Sequence, residues 1–222
     1  ISPPMNEVAW HQSVEKLLGL ELTKRCQYIR VIIGELSRIN DHLLCTGASA
    51  LDLGAFTAFL YAFNAREMIL DIYEEMSGYR YHPGYTRVGG LMHDFNDAVI
   101  ARVRQVVKEL PAVFSEMERL LFRNRIFLER MRGIGTLPRE LAISLSCTGP
   151  VARASGVTYD LRKDEPYLAY EDFDFRVPFA TEGDCYARFR VRMEEMAQSV
   201  SIIHQAIENL PSGPCNVPIA EK

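Results

Sequence analysis

Three places in this sequence combine side chains able to move protons or hold charge. Asp52 stands alone in the stretch Ala50-Leu51-Asp52-Leu53-Gly54-Ala55, one acid among apolar and small residues. Between two long helical patterns such a residue has two uses. It can cap the helix that follows, accepting backbone N–H bonds. It can also be a protonatable carboxylate in a dry pocket, poised by desolvation and neighbours. The two uses are compatible. The second place is Ser77 to Gly90, which packs three tyrosines, two arginines and His82 into fourteen residues. Ordinary connections are shorter and less aromatic. A histidine there titrates near neutral pH and can couple a proton to a nearby charge; the plainer reading is a surface or structural residue. The third place is Arg30, Glu35, Arg38 and His42, set among apolar residues. Glu35 and Arg38 share a helix face, as do Arg38 and His42. Exposed, they form a solvated face; buried, they require full pairing.

Other chemistry leaves little trace. No Glu-x-x-His pair of the kind that loads metals into helical bundles occurs. Glu7 and His11 are four apart, which reads as helix surface. No zinc-protease, phosphate-loop, dinucleotide or serine-hydrolase motif is present. Gly133-Ile134-Gly135 and Gly89-Gly90 read as turns. The cysteines Cys26, Cys45, Cys147, Cys185 and Cys215 are odd in number and form no C-x-x-C pair. Buried, reduced thiols are expected, and no metal ligand set is assigned.

The elements that must position these residues are helices. One runs from the Pro3-Pro4 start to about Leu18. A second begins near Thr23, with Ile29, Ile32, Leu36, Ile39 and Leu43 at spacings of three and four, and continues to about Gly47. A third spans about 54–76. Residues 79–94 read as a structured loop. A fourth helix covers about 95–110, and Pro111 is expected to open a fifth, through about Asn124. Residues 125–137 are partly helical, and Pro138 opens a short helix. From 146 to 182 the chain turns irregular, with short extended pieces expected around Tyr170–Val177. Asp184 caps the last helix, whose residues Phe189, Met193, Met196, Val200, Ile203, Ile207 and Leu210 alternate steps of four and three. That seam packs along another helix. The fold class is mainly α: a single helical domain over 1–222, a bundle of long helices with an irregular, partly extended excursion at about 146–182.

The composition, 48% apolar and 24% charged with a net charge of −4, is that of an ordered globular chain. It argues against a dedicated nucleic-acid binder. No apolar run reaches the length of a membrane span. The chain opens Ile1-Ser2-Pro3 and closes on what reads as loop, so it is read as the middle of a longer protein.

Several strings then follow one another in order: Asn6-Glu7, Ala50 to Ala55, Phe59-Leu60-Tyr61-Ala62-Phe63, Arg66-Glu67, Ser77-Gly78, His82 and Tyr85-Thr86-Arg87-Val88-Gly89-Gly90. Arg153 to Asp160, Leu161-Arg162-Lys163, Pro166-Tyr167 and Gly183-Asp184-Cys185-Tyr186 complete them. Together they resemble the D-type, or 49-kilodalton, subunit of respiratory complex I, over essentially the whole chain. The resemblance implies a nickel–iron hydrogenase large-subunit-like fold that has lost its metal site. It implies a core subunit of a proton-pumping NADH:quinone oxidoreductase. Such a subunit forms the quinone-reduction cavity together with the B-type subunit, the holder of the terminal [4Fe–4S] cluster; NAD is used elsewhere in the complex. The implied partners are the B-type and C-type subunits and the quinone-site membrane subunit. The implied location is peripheral, on the cytoplasmic side of the inner membrane.

Carried over by residue, Asp52 matches the catalytic aspartate that pairs with a quinone-proximal histidine, which lies outside this chain with the quinone-binding tyrosine. His82 matches the histidine beside the partner's cluster, and Arg87 is placed near the same group. Ala48 lies along the quinone path, where some relatives carry a hydroxyl. Ala58 stands where many relatives have Pro. On this basis the isolated fragment is expected to be inactive. Two rival readings remain. One is a related membrane-bound hydrogenase or other-donor quinone oxidoreductase, marked by C-x-x-C pairs in the full gene. The other is a purely structural role, with docking through the 189–210 seam.

Overall fold

The computed structural model describes residues 2–218. Four long helices close a ring in which each packs on two neighbours: α2 (Lys24–Asp52), α3 (Phe56–Ser77), α4 (Asp97–Leu121) and α9 (Cys185–Glu208). Helix α1 (Pro3–Leu18) lies on α2. A two-stranded antiparallel hairpin, β1 (Thr86–Arg87) and β2 (Gly90–Leu91), pairs Thr86 with Leu91 and Arg87 with Gly90. Short helices α5 (Arg125–Met131), α6 (Arg139–Ser144), α7 (Gly149–Ala154) and α8 (Leu161–Asp164) and a 3-10 turn at Tyr170–Asp172 link α4 to α9. The fold is mainly α, as expected. Among the described residues no helix is long and apolar enough to cross a membrane.

Helix α2 is the axis of the molecule. Thr23 caps it by accepting from the Cys26 N–H, and its 29 residues extend about 43 Å at 1.5 Å each. Residues 28–37 are buried without interruption, because neighbours cover it on all sides. Gly47 permits the closest of these contacts: a Cβ there would stand 2.9 Å from Ala62 Cβ on α3. The expected seam of α9 is buried at Phe189, Met193, Met196, Ile203 and Ile207, with Val200 and Leu210 packed at its edge. Asp184 caps α9 through the Ala187 N–H, as expected.

Four expectations differ from the structure. Helix α2 does not stop at Gly47 but runs to Asp52. Pro111 does not open a helix but sits inside α4. A mid-helix Pro costs about 3 kcal/mol, yet Val103, Val106, Val107, Leu110, Phe114 and Met117 form one buried face across it, and that packing outweighs the lost hydrogen bond. Residues 79–94 are not all loop, since they contain the hairpin. Tyr170–Asp172 is a 3-10 turn, and the extended residues after it find no strand partner among the described residues. Instead α9 side chains satisfy that backbone: Gln205 Oε1 accepts from Asp174 N–H at 2.8 Å, and Gln198 Oε1 from Arg176 N–H at 3.0 Å.

Candidate functional site

The end of α2 and the start of α9 flank a cleft of about 450 Å3. Cys45, Ser49 and Asp52, at helical spacings of four and three, line its α2 side. Arg188, Phe189 and Arg192 line the α9 side, and Arg130 of α5 closes one end. Asp52 is the last residue of α2 and does not cap α3, whose preceding residue Ala55 makes no side-chain cap. Its carboxylate accepts no hydrogen bond among the described residues and is exposed, so in this chain alone the pocket is open to water. A carboxylate at a helix C-terminus faces the negative end of the helix dipole, at a cost of about 0.3–1 kcal/mol. The expected cap role is therefore corrected: Asp52 has no local structural benefit from its position. Ala48 is half-buried beside this strip and is not among the residues lining the cleft.

His82 and Arg87 belong to a separate place, the hairpin and the stretch that leads into it. Three residues one turn apart on α1 hold it. Glu7 accepts from the Gly84 and Tyr85 N–H groups at 3.0 and 3.2 Å. His11 Nδ1 shares a 2.8 Å hydrogen bond with Thr86 Oγ1. Glu15 accepts from Gly89 N–H at 2.7 Å and forms a two-pronged pair with Arg30 at 2.7 and 2.8 Å. Arg30 Nη2 also donates to the Arg87 and Gly90 carbonyls, at 2.8 and 3.1 Å. Glu7 and His11 are therefore half-buried anchors and not helix surface. Burial and the Arg30 charge hold His11 below the usual histidine range. The His82 and Arg87 side chains stay exposed, and His82 meets the ring of Tyr81 edge-on at 4.7 Å. Neither lines the Asp52 cleft.

Midway along α2, Arg30, Glu35 and His42 are buried and Arg38 is mostly so, and all four are paired. Glu35, fully buried, accepts from Tyr170 Oη at 2.6 Å, Ser199 Oγ at 2.5 Å, Arg162 Nη1 at 3.1 Å and Arg38 Nε at 3.2 Å. Arg162 pairs with Asp160 at 2.7 Å, and Asp160 lies 3.7 Å from Arg153. Arg153 donates to Glu195 Oε1 at 2.7 Å, and Glu195 Oε2 meets His42 Nε2 at 2.7 Å. Charges thus alternate through the core from Glu35 to Glu195, and His42 ends the chain of contacts. Burial alone would raise the Glu35 carboxyl, but Arg38, Arg162 and the two hydroxyl donors outweigh it and bring it to about 2. Glu195 and Asp160 are likewise brought to about 2 against their burial, by His42 and Arg153 and by Arg162 and Arg153 respectively. Burial lowers His42 despite the Glu195 hydrogen bond. It is therefore neutral at pH 7 and donates Nε2–H to Glu195.

Sequence reasoning found the α2 half of this network as a conditional. It missed Glu195, Ser199, Tyr170, Arg153, Asp160 and Arg162 as its partners, because the pairs lie up to 164 residues apart. The one available signal was that Glu195 interrupts the apolar flank beside the α9 seam.

The family described as respiratory-chain NADH dehydrogenase, 49 Kd subunit, matches residues 52–222. The chain is 47% identical over 220 residues to NADH-quinone oxidoreductase D-type subunit 2 of Cytophaga hutchinsonii, covering 99% of this chain and 56% of that protein. It is 48% identical over 217 residues to the protein of the same name from Rhizobium etli, covering 98% and 54%. Against NADH-quinone oxidoreductase C/D-type subunit 2 of Aquifex aeolicus it is 46% identical over 222 residues, covering 100% and 38%. The chain spans about half the length of the first two relatives. A family match over most of the chain, with near-half identity along a bundle whose core those residues build, places it plainly: the chain belongs to the family of the 49 Kd subunit of respiratory-chain NADH dehydrogenase.

Proposed function

We propose that this chain is the central helical part of a subunit of a proton-pumping NADH:quinone oxidoreductase, and that the cleft beside Asp52 is its share of the quinone-reduction cavity. The observation that carries this reading is Asp52 itself. It is an uncapped, exposed carboxylate at the unfavourable end of the longest helix, and the sole acid among the residues lining the cleft. A carboxylate held where local structure disfavours it points to use in chemistry. In this reading Asp52 pairs with a histidine of the same subunit outside the chain and answers the change of charge on that histidine as quinone is reduced. The cleft dries only when the neighbours close over it.

The electrons come from a [4Fe–4S] cluster held by the B-type subunit, with NADH oxidised elsewhere in the complex. Among the described residues no three His, Cys, Asp or Glu side chains converge as metal ligands. In this reading the hairpin and the stretch that leads into it present Arg87 and His82 toward the partner; the anchoring by Glu7, His11, Glu15 and Arg30 supports that placement. His82 is open to take a proton at its ring when negative charge arrives beside it. The C-type and quinone-site membrane subunits complete the surroundings, and the chain lies peripherally on the cytoplasmic side of the inner membrane.

The test is Asp52→Asn in the full-length subunit within the membrane-bound complex. NADH-to-quinone activity is expected to fall more than about tenfold while NADH-to-ferricyanide activity, which bypasses quinone, holds. Retention of both activities would reduce Asp52 to a helix end.

A further inference from the structure

Helix α1, the middle of α2 and the excursion at 161–170 enclose another cavity, of about 280 Å3, which shares no lining residue with the Asp52 cleft. Met5 and Val8 of α1 and Leu161 and Leu168 of the excursion give it apolar walls. Arg30 is the sole charged residue among the described ones that line it. Its side chain is fully buried, and both Nη atoms are engaged, with Glu15 and with the hairpin carbonyls. Arg30 Nε finds no hydrogen-bond partner among the described residues. The Cys26 thiol, one turn back on α2, acts on the same guanidinium but offers only a weak acceptor. A buried N–H without an acceptor is costly, and a bound acceptor recovers that cost.

Gly34, one turn on from Arg30, lines the same cavity. Glycine in a helix interior is the poorest helix former after proline, so its presence in the most buried stretch of α2 calls for a reason. At Gly47 the reason is contact, since a Cβ would stand 2.9 Å from Ala62 Cβ. At Gly34 a Cβ would meet only Tyr170 Oη, at 3.7 Å. No neighbour's approach requires this glycine; what it keeps is volume. Ala9, Gln12, Tyr167 and Leu168 line both the cavity and a wider, open groove, so the way in runs between them. Leu168 stands there at a φ of 51°, where bulky side chains are rare. Strain of this kind gathers at ligand clamps.

The chemistry of the walls selects the ligand. An anion gains little, because Glu15 already matches the Arg30 charge and a second negative group would be buried without a cation of its own. A purely apolar molecule leaves the Nε–H unmet. A cavity of ~150 Å3 holds benzene, so about 280 Å3 holds a ring with a short substituent. We propose that this cavity binds a small, uncharged, mainly apolar ring compound whose carbonyl oxygen accepts from Arg30 Nε. Arg30 Nη2 also holds the Arg87 and Gly90 carbonyls, so the bound molecule bears on the anchoring of the hairpin. The site is independent of whether Asp52 serves quinone.

The experiment uses the whole membrane-bound complex and acetophenone, an uncharged ring with one carbonyl. Under ultraviolet light the ketone takes a hydrogen atom from a neighbouring C–H and the two carbons join, so the bound ring marks its surroundings. Mass spectrometry of the subunit's peptides is expected to find the label on Met5, Val8, Leu161 or Leu168, at a level that saturates as acetophenone is raised. Gly34→Leu fills the cavity from within, and Ala9→Trp, at an exposed position of α1, plugs its mouth. Each is expected to lower that labelling about tenfold. Gly34→Ala, whose added methyl meets only Tyr170 Oη, is expected to keep most of it. Label absent from these four residues, or rising without saturation, overturns the proposal, as does unaltered labelling in either plugging variant. Ala9→Trp decides the matter even where Gly34→Leu does not assemble, because Ala9 is exposed. The Asp52→Asn activity ratio, read separately, shows whether the quinone reading stands or falls.

Discussion

Along α2 and α9 the charged side chains change character from one end of their contact to the other. Midway, Glu35 meets Ser199 and Arg162, and His42 meets Glu195, in a core where the two carboxylates are fully buried. Further along α2, Asp52 stands opposite Arg188 and Arg192 of α9 with no ion pair between them among the described residues. The same helices therefore carry a closed charge network and an open one. Burial explains the first. A charge removed from water persists only when it is paired and hydrogen-bonded, and each core carboxylate has at least two donors. The open end is under no such constraint, since water solvates it in this chain. Charges left unpaired on a rigid frame are available to something that arrives from outside, and that is where the role proposed for Asp52 lies.

The largest expected effect lies in the closed network. Glu35→Ala leaves Arg162 and Arg38 facing a buried void and is expected to cost about 3–5 kcal/mol, measured by urea unfolding of the purified chain. A loss under about 1 kcal/mol, the level of a surface pair, would erase the distinction between the two regions.

The pH dependence comes next. Glu35, Glu195 and Asp160 have folded values of about 2, below their ordinary 4.5, 4.5 and 3.8. As pH falls through that range the unfolded chain takes protons that the folded chain refuses, so the stability these groups contribute is present above about pH 4.5 and is lost toward pH 2. For Glu35 the loss is on the order of 3 kcal/mol. His42, lowered by burial, adds an earlier decline as pH drops below 6.5. The melting temperature followed from about pH 8 to about pH 3 is expected to fall in that order, with a shallower acid limb in Glu35→Gln. An acid limb of unchanged slope in that variant would assign the loss to other groups.

The smallest effect on stability is expected on the open side. His82→Ala removes an exposed ring from the stretch that leads into the hairpin and should move stability by less than about 0.5 kcal/mol. In the assembled complex it should flatten the pH dependence of the terminal cluster's potential. An unaltered pH slope in a redox titration would discard the role proposed for His82.

The sequence by itself determined the helices whose patterns are local. The seam from Phe189 to Leu210, the cap at Asp184 and the helix start near Thr23 all act within a turn or two, and the structure keeps them. It also singled out Asp52, His82 and the α2 charges, because their residue types are unusual for their surroundings. It carried the family as well, since long strings of residues in order are specific where single motifs are not.

What tertiary structure alone decided depends on partners far apart in the chain. Whether Glu35 and His42 were a solvated face or a buried network turned on Arg162, Ser199 and Glu195, 127 to 164 residues away. Whether Pro111 ended a helix turned on the packing of its neighbours along one face, because a local penalty of a few kcal/mol yields to a larger burial. Whether Asp52 capped a helix turned on where α2 stopped, which contacts with α3 and α9 set. Local propensity acts through neighbouring residues and is legible there; burial and pairing are properties of the assembled chain, and no window of sequence contains them.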